Sequence, residues 1–314
     1  MVINNPPVQI LTNCDGSVNA DGPFNLLLAP AERADLIIDF SNVPVGSNLI
    51  LYNDAPAPFP MGDCRNDYYS GCPDQTLNGG AATTLPDYGP NTRTLLQFRA
   101  VALTGTADPL NFDSTLEGLI SDLPQAYRDS HEPFGEFDLD SADPDVLREV
   151  KTLNEDFDEH GRLIQRMGTD KSIYGDSYAR NYMDDATEIY NAGQTVIWDI
   201  YNTTGDTHPM HFHLVNVQVV GRATFDASIE NIVEFVPTSP WMPPDPNYRG
   251  WKETVRMNPG EITRVIMKMA LPEVPFNVPG SPRPGMQNGH EYVWHCHILE
   301  HEEHDMMRPL IVIP

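Results

Sequence analysis

In the stretch LVNVQVV, Val215, Val217 and Val219 fall on one side of an extended chain, while Asn216 and Gln218 fall on the other. Strand side chains repeat every two residues, so this pattern predicts a strand with one buried face. TVIWDIYN (195–202) and ITRVIMKMAL (262–271) are equally short, rich in β-branched residues and bounded by Gly, Pro or Asn. Nearer the N-terminus, FNLLLAP (24–30), ADLIIDF (34–40), NLILYND (48–54) and TLLQFRAV (94–101) have the same character. The 29 prolines suit loops between strands and disfavour long helices. The expected fold class is all-β, in two sandwich blocks.

Residues 103–146 differ: they are acidic, turn-rich and poor in alternation, and read as an interdomain connection with a short helix. VLREVKTLNEDFDEHGRLIQRMG then opens the last domain. The expected division is 1–102, 103–146 and 147–314. The chain carries 45 acidic against 19 basic residues, a formal net charge of -26. Nucleic acid is excluded as a partner, since phosphate binding needs clustered Lys and Arg. The acidity fits solubility first, and attraction of cationic or metal-ion substrates second. No apolar run approaches the roughly 18 residues of a membrane span, so no membrane partner is expected. The opening MVINNPPVQI has neither the basic region nor the apolar core of a secretory signal.

Of four cysteines, Cys64 and Cys72 lie in a polar, turn-rich loop that a local disulfide would staple, with Cys14 an alternative partner for either. Cys296 belongs to a different context. YVWHCHILEHEEHDMMRPL (292–310) holds four of the ten histidines. On a strand, His295 and His297 point one way, while Cys296 points the other with Trp294 and Ile298. His301 follows Cys296 by five residues and Met306 follows by five more. A thiolate, two imidazoles and a distant thioether are the ligand set of a blue-copper site, which needs one more histidine. THPMHFHLVNV supplies it: His211 and His213 share a face, and His208, offset by three, completes a site with Cys296, His301 and Met306. The two His-x-His pairs, on neighbouring strands, jointly offer four imidazoles to a copper cluster. Zinc fits less well, because neither its paired-cysteine spacing nor H-E-x-x-H appears. Seven histidines in two tight motifs are too many for packing alone.

HPMHFH and HCHILEHEEHDMM resemble the third and fourth copper motifs of the multicopper oxidases, above all bacterial laccases of the spore-coat type and bilirubin oxidases. LLLAPAERADLIIDFS (26–41) resembles part of their middle domain, and YRGWKETVRMNPGEITRVIMKM resembles the strands leading to their last motif. The resemblance implies cupredoxin-like Greek-key sandwiches, a partial middle domain at 1–102 and a complete one at 147–314. It assigns His208, Cys296, His301 and Met306 to type 1 copper, His211 to type 2, and His213, His295 and His297 to the type 3 pair, for four coppers in a complete site. It implies one-electron oxidation of phenols, aromatic amines, bilirubin-like pyrroles or metal ions, with dioxygen reduced to water. It makes Glu302 a residue that delivers protons to the oxygen site, against a plain reading as a solvated loop carboxylate. A secreted, periplasmic or cell-surface location follows from the same likeness.

The family's cluster takes eight histidines from four motifs, and this chain offers four of them. His131 and His160 are isolated in acidic loops and read as exposed side chains, and His290 and His304 are not expected to be ligands. The missing imidazoles are expected from an N-terminal portion of the same enzyme or from another subunit. The alternative is an electron-transfer cupredoxin with type 1 copper alone, which would need none of His211, His213, His295 and His297. Met306 is favoured over Met307 as the axial group. Trp251 and the Pro-rich segment before it are candidates to border a substrate pocket.

Overall fold

The computed structural model describes residues 11–12, 18–19, 26–34, 36, 38, 40–53, 55, 59–60, 74, 76–78, 94–106, 146–169, 178–227, 236–245, 248, 250–273 and 278–314. The chain divides into two compact units, one of Val2–Leu28 and Arg33–Pro124, the other chiefly of Gln125–Pro314 with Ala29–Glu32. Cys14, Cys64, Cys72, His131 and the expected connection between 107 and 145 lie outside the described residues.

In the first unit, β1 (Leu11–Thr12) pairs with β2 (Val18–Asn19), and β3 (Asn48–Tyr52) pairs antiparallel with β4 (Thr94–Arg99). The strands expected at 24–30 and 34–40 do not form among the described residues, where 26–29, Leu36, Ile38 and Phe40 are irregular. Alternation creates a usable face only when a neighbouring strand takes up the backbone N–H and C=O groups, and no described strand pairs there.

The second unit is a two-sheet sandwich, all-β as expected apart from one short helix among its described residues. Its first sheet runs in the order β13 (Thr254–Met257), β10 (His208–Phe212), β15 (His290–Cys296), β16 (Met307–Ile313), β8 (Glu188–Asn191). The second runs β12 (Trp251–Lys252), β11 (Val217–Thr224), β14 (Glu261–Lys268), β9 (Thr195–Asn202), β5 (Leu147–Phe157), β6 (Leu163–Thr169), β7 (Ala179–Arg180). Most neighbours are antiparallel, but β8 runs parallel to β16 and β5 parallel to β9. Such distant pairings make this the cupredoxin-like Greek-key sandwich expected of the last block. At Asn258–Glu261 the chain crosses from one sheet to the other, with Gly260 in the left-handed region (φ 69°). Pro259 before it presets the preceding angle, so Pro-Gly fits this turn.

Aromatic side chains hold the two sheets together. Trp198 of β9 meets Trp294 of β15 at 4.8 Å between ring centres and Phe212 of β10 at 6.0 Å. Each such pair adds about 0.5–1.5 kcal/mol beyond the burial of its area. Val215, Val217 and Val219 enter this core as the alternation predicted. Gln218, expected to face solvent, is buried as well. A second layer covers the far end of the same strand: Tyr201, Ala223, Phe225 and Ile262 form a smaller cluster against Trp241, and the 236–242 segment bridges to Arg222 and Phe225. This places the described part of the Pro-rich segment on the outer face of the larger sheet. Among the described residues, no helix is long and apolar enough to cross a membrane.

A buried ion pair ties the sheets at one end. The Lys151 Nζ of β5 lies 3.0 Å from Glu188 Oε1 of β8 and 2.8 Å from Glu149 Oε2. Burial by itself would raise the Glu188 carboxyl, but Lys151 and Arg308 outweigh it and hold its pKa below the ordinary value. Burial likewise works against the Lys151 ammonium, and Glu188 and Glu149 outweigh it and raise its pKa above 10.5. The Glu188 contribution to stability is thus present above the ordinary glutamate range and lost as pH falls through its lowered folded value. The Lys151 contribution is complete below 10.5 and lost as pH rises through the raised folded value. Glu188→Gln leaves a buried ammonium short of charge and is expected to destabilise this unit by about 3–5 kcal/mol. Urea unfolding followed by tryptophan fluorescence checks the size, and repeating it from neutral to acid pH checks the sign: the deficit must shrink on acidification.

Candidate metal centre

The pairing of β10 with β15 sets the site. Met210 lies opposite Cys296, His211 opposite His295 and Phe212 opposite Trp294. Residues opposite each other point to the same face. His208, Met210, Phe212, Trp294 and Cys296 therefore face the sandwich core, and His211 and His295 face away. The ladder continues past the strand ends, with His213 N donating to Val293 O and His297 N to Pro209 O, so both outer histidines stay in phase.

On the core face, Cys296 is fully buried, and its Sγ lies 3.6 Å from His208 Nδ1 and 3.7 Å from His301 Nδ1. The two Nδ1 atoms are 3.3 Å apart. His301 gets there on a single helical turn, α1 (Leu299–Glu302), directly after β15. The chain then turns back through Asp305, left-handed at φ 78°, a conformation Asp tolerates better than most residues. Met306 O accepts from Cys296 N at 3.0 Å, so the loop closes on the residue where it began. Met306 is fully buried in the cluster that contains Cys296, whereas Met307 pairs opposite His295 and faces the other way.

The donor set fits a bound cation. Bonds of roughly 2.0–2.1 Å to nitrogen and 2.3 Å to sulfur around one first-row ion place neighbouring donors about 3.3–3.7 Å apart. Burial pushes the Cys296 thiol up to about 12 and His208 down to about 3, the latter helped by His301. His301 falls to about 4, again mainly through burial. The pocket by itself thus favours a neutral thiol and neutral imidazoles, and a metal ion would supply the charge that a thiolate needs there.

The tautomer of His208 is fixed from behind. Asn202 Nδ2 donates to the carbonyls of Asp206 and Met257, so its Oδ1 faces Thr204. The Thr204 hydroxyl donates to that Oδ1 at 2.8 Å and is left to accept from His208 Nε2 at 2.7 Å. Nδ1 is then the lone-pair nitrogen, and it is the one turned to Cys296.

On the opposite face, His211, His213 and His295 gather. His295 Nδ1 lies 2.9 Å from the Cys296 carbonyl, which only accepts, so Nε2 carries the lone pair. That Nε2 sits 3.1 Å from His213 Nε2. His211 Nδ1 is engaged by Thr254 Oγ1 at 2.9 Å, leaving its Nε2. His297 lies farther out, its ring centre 5.5 Å from that of His211 and 5.4 Å from that of His295. Burial and the neighbouring imidazoles lower the pKa of His211 and His213. Glu302 Oε2 lies 3.4 Å from His295 Nδ1, at the rim of this group. His160 is 66% exposed beside Glu159, and His304 is exposed as well. Thr204 and Thr254, which orient two of the histidines, carried no signal in the sequence, since a threonine near a histidine is commonplace.

Residues 162–314 match the family model of the multicopper oxidases. The chain is 32% identical to a laccase of Bacillus subtilis over 90% of its own length and 42% of the laccase. Residues 162–314 form a multicopper oxidase domain. It is also 31% identical to a laccase of Bacillus stratosphericus, over 94% of this chain and 46% of that enzyme. Among solved structures, the 2F4 variant of the McoA multicopper oxidase from Aquifex aeolicus matches 88% of this chain and 43% of that one, at 21% identity and a TM-score of 0.44. The chain thus spans less than half the length of the laccases it matches.

Because Thr204 accepts from His208, Thr204→Val is expected to weaken metal binding at the Cys296 site by about 10- to 100-fold. Copper titration against a competing chelator measures it, and nitrogen NMR of the metal-free chain should show the proton of His208 on Nε2. An unchanged affinity would rule out the orienting role.

Proposed function

We propose that this chain is the C-terminal, copper-binding portion of a laccase-like oxidase that takes single electrons from phenolic or aromatic-amine donors and delivers them to dioxygen, forming water. The observation that carries this reading is the split at one strand end. Cys296 turns its sulfur to His208 and His301, while its sequence neighbour His295 joins a second group of histidines on the opposite face. Copper would supply a one-electron acceptor at the first group (type 1) and, as three ions at the second (types 2 and 3), the capacity to reduce dioxygen.

The residues have separable tasks. His208, Cys296 and His301 would hold the first ion, with Met306 as a further, weaker donor. His211 would hold the type 2 ion, and His213, His295 and His297 would hold the type 3 pair. Cys296 is joined through backbone to both His295 and His297, so electrons have a short covalent route between the groups. Glu302, beside His295, helps deliver protons to the oxygen site. Four imidazoles are too few for three closely spaced cations, so the others come from an N-terminal portion of the same enzyme or from another subunit. Donors dock at the loop that carries His301, next to a cleft of about 390 Å³ lined by Leu163, Ile164, Arg166, Glu303, His304 and Asp305. A secreted, periplasmic or cell-surface location suits a chain of this kind.

Copper added to the purified chain is expected to produce a blue thiolate-to-copper absorption, which Cys296→Ser abolishes while the fold, read by circular dichroism, survives. Met306→Leu is expected to keep the colour and raise the reduction potential, and Met307→Leu to do much less. A colourless copper complex of the parent chain would overturn the site.

Alone, the chain is expected to bind about one copper firmly and to consume no oxygen with a phenolic donor. A polypeptide bearing two further His-x-His motifs should bring copper to about four per complex and start oxygen uptake. Steady turnover by the chain as a proven monomer would overturn the need for that partner.

A further inference from the structure

A line of aromatic side chains runs away from the copper-binding strands and is not needed to hold any ligand. Trp294 lies two residues before Cys296 on the same face of β15, fully buried, and its indole Nε1 has no hydrogen-bond partner among the described residues. Its ring centre is 4.8 Å from that of Trp198. Trp198, also fully buried, donates Nε1–H to Tyr190 Oη at 3.0 Å. Tyr190 in turn donates to Glu149 Oε2 at 2.5 Å, and the Glu149 side chain is one quarter exposed.

We propose that Trp294, Trp198 and Tyr190 form a relay that carries an oxidising equivalent from the copper-binding strands to Tyr190, whose phenolic proton passes to the partly exposed carboxylate of Glu149. The hydrogen bonds grade the line. An unpartnered indole N–H buried in apolar surroundings cannot lose its proton, so a cation radical on Trp294 remains strongly oxidising. The Trp198 N–H is already bonded, but the Lys151 ammonium lies 4.9 Å above its ring and discourages positive charge from resting there. Glu149 and Glu188 partly offset that ammonium. Tyr190 has a carboxylate on its hydroxyl and can give up a proton along with the electron, which leaves no new charge on the ring. The hole therefore runs outward and settles on Tyr190.

The rest of the proposal leans on the copper reading only for the source of the oxidant, a hydroxyl radical formed where hydrogen peroxide meets copper(I). The radical takes one electron from Trp294 and becomes hydroxide. Trp198 refills Trp294, and Tyr190 refills Trp198 as its phenolic proton passes to Glu149. The products are a neutral tyrosyl radical and a carboxylic acid. An external phenol or ascorbate returns the electron and a proton to Tyr190, and Glu149 releases its own proton to water. The relay would spare the ligands from oxidation, each round consuming one electron from the external reductant.

The first test needs no metal. Laser photoionisation of tryptophan in the full, copper-free chain, with the ejected electron scavenged by nitrous oxide and the hydroxyl radical so formed scavenged by tert-butanol, generates indole radicals directly. Transient absorption should then show a first-order conversion of indole to tyrosyl radical, independent of protein concentration. Tyr190→Phe, which keeps the ring, should remove this phase, and Trp198→Phe should slow it at least tenfold. Conversion at the parent rate in both variants would overturn the relay, since one of the other tyrosines would then be the acceptor. A second test treats the copper-loaded chain with hydrogen peroxide and maps oxygen additions by peptide mass spectrometry. Tyr190→Phe should shift damage onto Trp294, His295 and Met306, and an unchanged map would overturn the protective role. If the chain fails to take up copper, the second test fails and the photoionisation result still stands, so the two readings fail separately.

Discussion

The register between β10 and β15 is the constraint on which the rest depends. With Met210 set against Cys296, every core-facing ligand on these two strands meets the sulfur, and every outward-facing one meets another imidazole. A slip by one residue would exchange the faces of one strand, putting His208 outside and His211 in the core. The register is held because the core-facing partners include Met210, Phe212 and Trp294, all buried, the two rings against Trp198 of the opposite sheet. The same aromatic packing that joins the sheets therefore sorts the histidines into two groups.

Around the sulfur, polar groups are satisfied in a particular direction. Asn202, Thr204 and His208 form a chain of hydrogen bonds in which each partner's role is forced by the next, ending with a lone pair on Nδ1. Cys296 O and Thr254 do similar work for His295 and His211 on the other face. Burial favours neutral forms throughout the core-facing set, so the pocket is apolar enough to need a cation and polar enough only in the atoms aimed at one.

A third network lies behind β13. Glu32, from the short segment grouped with the sandwich, is buried, with Lys252 Nζ at 2.8 Å, Arg256 Nε at 3.3 Å and Tyr248 Oη at 2.5 Å. Burial would raise the Glu32 carboxyl, yet Lys252 and Arg256 hold it below the ordinary value. Lys252 and Arg256 flank Thr254, the partner of His211. One acidic side chain from far upstream thereby steadies the strand on which an outer histidine depends.

The sequence by itself determined the faces within each strand. Period two is a local property of extended backbone, so HCH already separated Cys296 from its neighbours, and HPMHFH already separated His208 from His211 and His213. Spacing favours Met306 over Met307, but that Met306 is buried while Met307 turns outward opposite His295 is set by the closed fold. The burial of Gln218 and the irregular course of 26–29 and residues 36, 38 and 40 were not legible, because alternation does not reveal what covers a face or whether a strand has a neighbour. Thr204, Thr254, Trp198 and Glu149 reach their partners only through pairings between distant segments, such as β5 beside β9. Local periodicity is written residue by residue, whereas register and second-layer contacts emerge only when the whole core closes around its large side chains.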